Sequence, residues 1–218
     1  MRAELTRLLP ELVDGYERIR RYIESDSALA ASSKALLVAS AAATRGADQL
    51  ARDELARGRD LGANEAQVAV CAGVLLLTRG AAATERLLAA ALPLGELPAA
   101  RAASDLDAPA YFRAYNHTEE LPVRLRLLRE VAPEVFEGYF RMHHAVLSSD
   151  PQPDAFAELV LCTVNTAELA GAFVAIHAAS ARRRGVTDAQ LVEAVLCAVP
   201  VAGVAAWAVG SAAIFPDA

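Results

Sequence analysis

Leu5, Leu8, Leu12, Tyr16, Ile19 and Ile23 recur at steps of three and four with acids and arginines between them, the stripe of an amphipathic helix. Pro10 falls inside that stripe, and because proline suits a first helical turn, an interruption is expected there. Ser25-Asp26-Ser27 ends the pattern. An alanine-rich helix is expected from about Ser32 to Arg45, and another from about Ala47 to Leu61 that Gly62 stops. Asn64 is placed to cap the helix containing Cys71. The stretch from Glu158 to Gly185, apolar almost throughout, reads as helix with Glu158 at its start and His177 in its second half. These two are expected to be the only ionisable groups held away from water. Ala194 to Phe215 carries no charge over about 22 residues, a length that could cross a bilayer. Pro200, Gly203, Gly210 and the lack of a Lys or Arg flank argue for a core element instead.

The punctuation of the first half returns about 123 residues later. Pro10-Glu11 and Gly15-Tyr16 match Pro133-Glu134 and Gly138-Tyr139. Gly62 matches Gly185, Ala66-Gln67 matches Ala189-Gln190, and Gly80 matches Gly203. A tandem duplication of one helical unit is expected, with repeats at 1–92 and 125–218 and a proline-containing connector at 93–124 that can wrap over the other half. The first copy is the degenerate one: Glu54 stands opposite His177, and Ala35 opposite Glu158. The charged counterpart of the apolar terminal segment, with Arg79, Glu85 and Arg86, further disfavours a membrane span.

Of the 218 residues, 55% are hydrophobic but only 6% aromatic, so alanine carries the apolar content and an all-α protein is expected. The net charge of −6 supplies no basic footprint for nucleic acid. Cys71, Cys162 and Cys197 have neither disulfide nor metal spacing and read as small buried residues. The charged, amphipathic start is unlike a signal sequence, so a cytoplasmic location is expected.

The order Pro133-Glu-Val-Phe-Glu-Gly-Tyr139, Glu158-Leu-Val, His177 followed after seven residues by Gly185-Val-Thr-Asp, and Gly203-Val-Ala-Ala resembles the carboxymuconolactone decarboxylase and alkylhydroperoxidase D superfamily over about residues 125–215. The resemblance implies an all-helical fold that assembles as a trimer or hexamer, a dimer being the other possibility. It implies an active site on the helix hairpin carrying Glu158 and His177. In the peroxidase branch a Cys-x-x-Cys pair completes the relay, but the matching positions here are Ala170 and Phe173. Peroxide reduction through that motif needs an attacking thiolate and a resolving thiol, so this activity is not expected. The decarboxylase branch needs no thiol, although Val201 stands where many of its members have tyrosine.

His177 is therefore the candidate general acid/base and Glu158 its orienting or relaying partner. Phe173, Tyr139, His144 and Tyr111 are candidate substrate contacts, with Phe173 and the connector closing a pocket. Adjacent histidines diverge by about 100° on a helix, so at most one of His143 and His144 can face a pocket, and both otherwise read as surface. That divergence also disfavours a metal site built from them with His177 and Glu158. His117 reads as an exposed connector residue, and Trp207 and Phe215 as core or interface. The expected activity is a cofactor-independent lyase or isomerase acting on a small carbonyl or lactone compound. A catalytically retired ligand- or partner-binding protein is the alternative.

Overall fold

In the computed structural model, residues 2–91, 107–147 and 155–216 are described; the connector prolines Pro93 and Pro98 lie outside them. The described residues form helices without a strand. Helix α1 (Arg2–Leu8) gives way to α2 (Pro10–Glu24), whose first position is Pro10, where the missing N–H costs no helical bond. Then come α3 (Ala31–Thr44), α4 (Asp48–Asp60), α5 (Glu65–Arg79) and α6 (Ala81–Ala91). Helix α7 (Ala108–Asn116) belongs to the connector. The second half holds α8 (Val123–Val131), α9 (Pro133–Leu147), α10 (Phe156–Ala167), α11 (Gly171–Arg183), α12 (Asp188–Leu196), α13 (Val199–Ala202) and α14 (Val204–Ile214).

The two halves meet through α3 and α10, which pack together. Every residue of α10 is buried, as is α3 from Lys34 to Ala43. Alanines on both helices let the backbones approach, and most of the buried polar groups there find internal partners, Thr166 Oγ1 being an exception. Thr163 donates to the Leu159 and Ala194 carbonyls at 2.9 and 2.8 Å, and Asn165 donates to the Leu161 carbonyl at 2.8 Å.

The stretch from Glu158 to Gly185 is the hairpin that the family resemblance implies rather than the one helix suggested by its apolar run. Leu169 takes a left-handed φ of 58°, and the Ala170 N–H turns back to the Asn165 carbonyl at 2.9 Å, closing α10 before α11 begins. The uncharged segment from Ala194 is likewise divided among the end of α12, α13 and α14, and among the described residues no helix is long and apolar enough to cross a membrane. Helix boundaries repeat at the sequence spacing of about 123 residues: α2, α4, α5 and α6 start in step with α9, α11, α12 and α14. Asn64 and Thr187 open α5 and α12 with the same capping box, and Gly62 and Gly185 both take positive φ.

In the second half the connector adds something the first half lacks. Helix α7 lies on α9 and builds a second small core from Ala108, Phe112, Leu125, Phe136 and Phe140.

Gly210 lies where α14 meets α12: a Cβ there would stand 2.2 Å from Val195 Cγ1 and 3.2 Å from Thr166 Cγ2. Gly210→Ala is expected to lower unfolding free energy in urea by about 1–3 kcal/mol through overpacking. Gly138→Ala, in the open middle of α9, is expected to raise it by about 0.5–1 kcal/mol.

Candidate active site

Glu158 sits in the first turn of α10 with no exposed surface. Burial alone pushes a carboxyl group up, but here its partners outweigh burial. Hydrogen bonding and charge from His177, a Ser180 hydrogen bond and the Arg184 charge together hold it below its ordinary value of 4.5. His177 Nδ1 lies 2.9 Å from Oε2; Ser180 donates to Oε1 at 2.6 Å and Tyr115 at 3.1 Å, with Arg184 Nε 3.7 Å away. His177 and Ser180 are three residues apart on α11, so one helix face presents both to the carboxylate. Burial and the Glu158 charge push the Tyr115 phenol up, which keeps it a donor.

An ionised carboxylate can only accept, so His177 donates from Nδ1 and Nε2 carries the lone pair of the neutral ring. That ring lines a cavity of about 210 Å³, small beside a drug-sized pocket. Leu125, Leu147 and Leu161 give the cavity an apolar wall, and Phe173 and Ile176 flank His177 from α11. Tyr115, Asn116 and Arg124 of the connector, with Tyr139 and His143 of α9, complete the near side. The first half contributes Leu77, Thr78 and Arg79 from the end of α5. Arg79 donates to Asn165 Oδ1 at 2.8 Å and to the Thr78 carbonyl at 3.0 Å, while its Nε is buried without a partner. Burial lowers its pKa, with the Glu168 charge opposing, yet a guanidinium stays charged. Among the described residues no carboxylate lies within ion-pairing distance of it.

Of the residues singled out from sequence, His177, Phe173 and Tyr139 line the cavity together, and Glu158 lies behind His177. His144 does not line it: the rotation of α9 turns in His143 instead, only 5% exposed and so not a surface residue. Tyr111 is one layer back, 2.8 Å from His143 Nδ1 through its hydroxyl. Burial pushes the His143 imidazolium down to about 4 against the opposing charge of Glu158. Nor are Glu158 and His177 the only ionisable groups kept from water. Lys34, Glu54 and Glu193 are also buried, Lys34 bonding Ser27 at 2.7 Å and lying 3.5 Å from Glu193. His117 is exposed, as expected.

Ser180, Tyr115 and Arg79 were not singled out from sequence as site residues, and of His143 and His144, at most one of which could face a pocket, His144 was the candidate named. Ser180 alone had a usable signal, its spacing of three from His177. The positions in the first half that correspond to His143, His177 and Ser180 hold Arg20, Glu54 and Arg57, which bond to one another around the Glu54 carboxylate. The three cysteines are buried, and burial pushes the Cys162 and Cys197 thiols up, away from thiolate chemistry. Among the described residues no group of three or more His, Cys, Asp or Glu is arranged to hold a metal ion.

Residues 133–214 match the model of the carboxymuconolactone decarboxylase family, a span that includes His143, Glu158, His177 and Ser180 but not Arg79 or Tyr115. No curated protein matches the chain.

Because the Glu158 carboxyl is lowered on folding, its contribution to stability is full above its ordinary value of 4.5 and disappears as the pH falls through the lower folded value. Glu158→Gln is expected to destabilise the protein by about 2 kcal/mol at pH 7 and by progressively less below pH 4.5. Urea unfolding across that range reads the difference; a constant deficit would contradict the ionised carboxylate.

Proposed function

Taking residues 133–214 as a carboxymuconolactone decarboxylase family segment, we propose that the chain is a cofactor-independent lyase or isomerase for a small carbonyl or lactone compound. The carrying observation is the 2.9 Å contact that ties His177 Nδ1 to Glu158 and leaves Nε2 out of that contact, on a residue that lines the cavity. A group with that ring geometry serves as general acid/base.

In an isomerisation, Nε2 takes the proton from the carbon beside the carbonyl. The C–H electron pair becomes the enolate double bond, and the carbonyl π electrons move onto oxygen. The imidazolium, held against the Glu158 carboxylate, then returns a proton to carbon. In a decarboxylation Nε2 first takes up a proton from the solvent; the same enolate then arises as the C–C pair stays behind and carbon dioxide leaves, and the imidazolium gives that proton to the carbon, so one proton is consumed in each turnover. Arg79 supports the acid-bearing version of the substrate: an arginine in a cavity wall without a carboxylate partner suits a ligand that brings one. The apolar side chains left exposed on α8 and α9, Val123, Leu127, Val131 and Val135, support assembly as a homo-oligomer.

Retirement to a binding role is the second reading. Val201, packed against the core at the position of the family's tyrosine, favours it.

A panel of β-keto acids and lactones, followed by carbon dioxide release and by NMR of the products, tests these readings. The enzyme reading expects turnover of at least one compound, with His177→Ala lowering kcat/KM by about 10²–10⁴. Arg79→Gln is expected to raise KM for acids while sparing neutral lactones. Full activity of His177→Ala on every responsive substrate contradicts the proposed base, and cavity binding without turnover supports retirement.

A further inference from the structure

His143 and His177 line one cavity, yet each is tethered through Nδ1 to a group of different character. His177 Nδ1 meets a carboxylate at 2.9 Å, and His143 Nδ1 meets the Tyr111 hydroxyl at 2.8 Å. The first tether fixes a proton on Nδ1, since the carboxylate has none to give. The second works the other way. A phenol is a stronger donor than a neutral imidazole N–H, and an imidazole nitrogen is a stronger acceptor than a phenol oxygen, so the favoured arrangement has Tyr111 donating to Nδ1. The proton of the neutral ring then sits on Nε2, which has no hydrogen-bond partner among the described residues although the ring lines the cavity.

The surroundings hold the ring in this state. Tyr115, Phe112, Tyr111 and Tyr139 enclose it, with centroids at 4.5, 5.2, 5.6 and 5.6 Å and every interplanar angle near perpendicular. Such a cage offers packing without solvation, and charging the ring there is costly; burial accordingly pushes its imidazolium down to about 4. The charged and titratable groups acting on it are Glu158, which favours the imidazolium, and His177, Arg184 and His144, which oppose it.

We propose that His143 is a second catalytic residue, a neutral imidazole whose Nε2–H donates to the carbonyl oxygen of the ligand as negative charge develops there, with Tyr111 as the positioning residue that sets its tautomer. The assignment rests on the reading that a carbonyl compound occupies the cavity. The two rings then present opposite polarity to the ligand, a lone pair at His177 to take a proton from carbon and an N–H at His143 to hold the oxygen. No proton need leave His143, so no further acid or base is required to balance the step. A preorganised donor in a water-poor site stabilises an enolate far more than the same donor in water.

The test begins without substrate. Multiple-bond ¹H–¹⁵N NMR of the uniformly ¹⁵N-labelled full chain at neutral pH, with His143 assigned by its loss in His143→Gln, reports which ring nitrogen is protonated. The expected result is an unprotonated Nδ1 and a protonated Nε2, with that preference weakened in Tyr111→Phe. A proton on Nδ1, or on both nitrogens, overturns the proposal whatever the protein catalyses. With any substrate the panel reveals, His143→Leu is expected to lower kcat about 10²–10³-fold with KM little changed, and His143→Gln, which retains an N–H, to recover part of the loss. An unchanged kcat in His143→Leu overturns the catalytic role while leaving the His177 reading intact. Loss of activity in His143→Leu with His177→Ala fully active would mark the reverse.

Discussion

A carboxylate with no exposed surface is tolerated at Glu158 only because four side chains from two segments, α7 and α11 with its C-cap, converge on it. An unpaired buried charge costs several kcal/mol, and here that cost is offset by charge-assisted hydrogen bonds rather than avoided by protonation. The requirement fixes much else. It sets the phase of α11, since His177 and Ser180 must share a face toward α10, and it fixes α7 through Tyr115. Those same contacts determine which atoms remain for a ligand: with Nδ1 of His177 held to the acid, Nε2 is the nitrogen left for the cavity.

The two halves use a common set of helices differently. At matching positions the first half has closed its polar residues on themselves, Glu54 between Arg20 and Arg57, while the second keeps two imidazoles facing a cavity. The first half is not idle, because the end of α5 carries Arg79 into the cavity wall. The matched boundaries thus carry a closed polar cluster in one half and a polar site open to a cavity in the other. Among the described residues the connector helix α7 lies beside the second half, where its aromatic side chains enclose His143.

Much of the helix framework was legible because glycine, proline and capping residues are local signals. Pro10, Gly62, Asn64 and Gly185 each act through their own backbone or the next turn. The family order implied a hairpin, but the position of its break at Leu169 was not legible, since leucine carries no stop signal for its left-handed conformation. Glu158 and His177 could be singled out because ionisable groups stand out in an apolar stretch and match a family order. The choice of His143 over His144 depends on the rotation of α9, a matter of its packing against α5, α7 and α8. Arg79 was hidden for a similar reason: its role depends on where α5 ends relative to α10, a tertiary fact that no local pattern encodes.

The central claim is that Glu158 is ionised although wholly buried, and its own titration tests this most directly. In protein labelled with ¹³C at glutamate side-chain carboxyls, with Glu158 assigned through Glu158→Gln, the carboxyl carbon shift followed against pH reports its charge. The account predicts an inflection below the ordinary value of 4.5 and a charged group throughout the neutral range. An inflection near or above neutrality, as burial alone would produce, would contradict it.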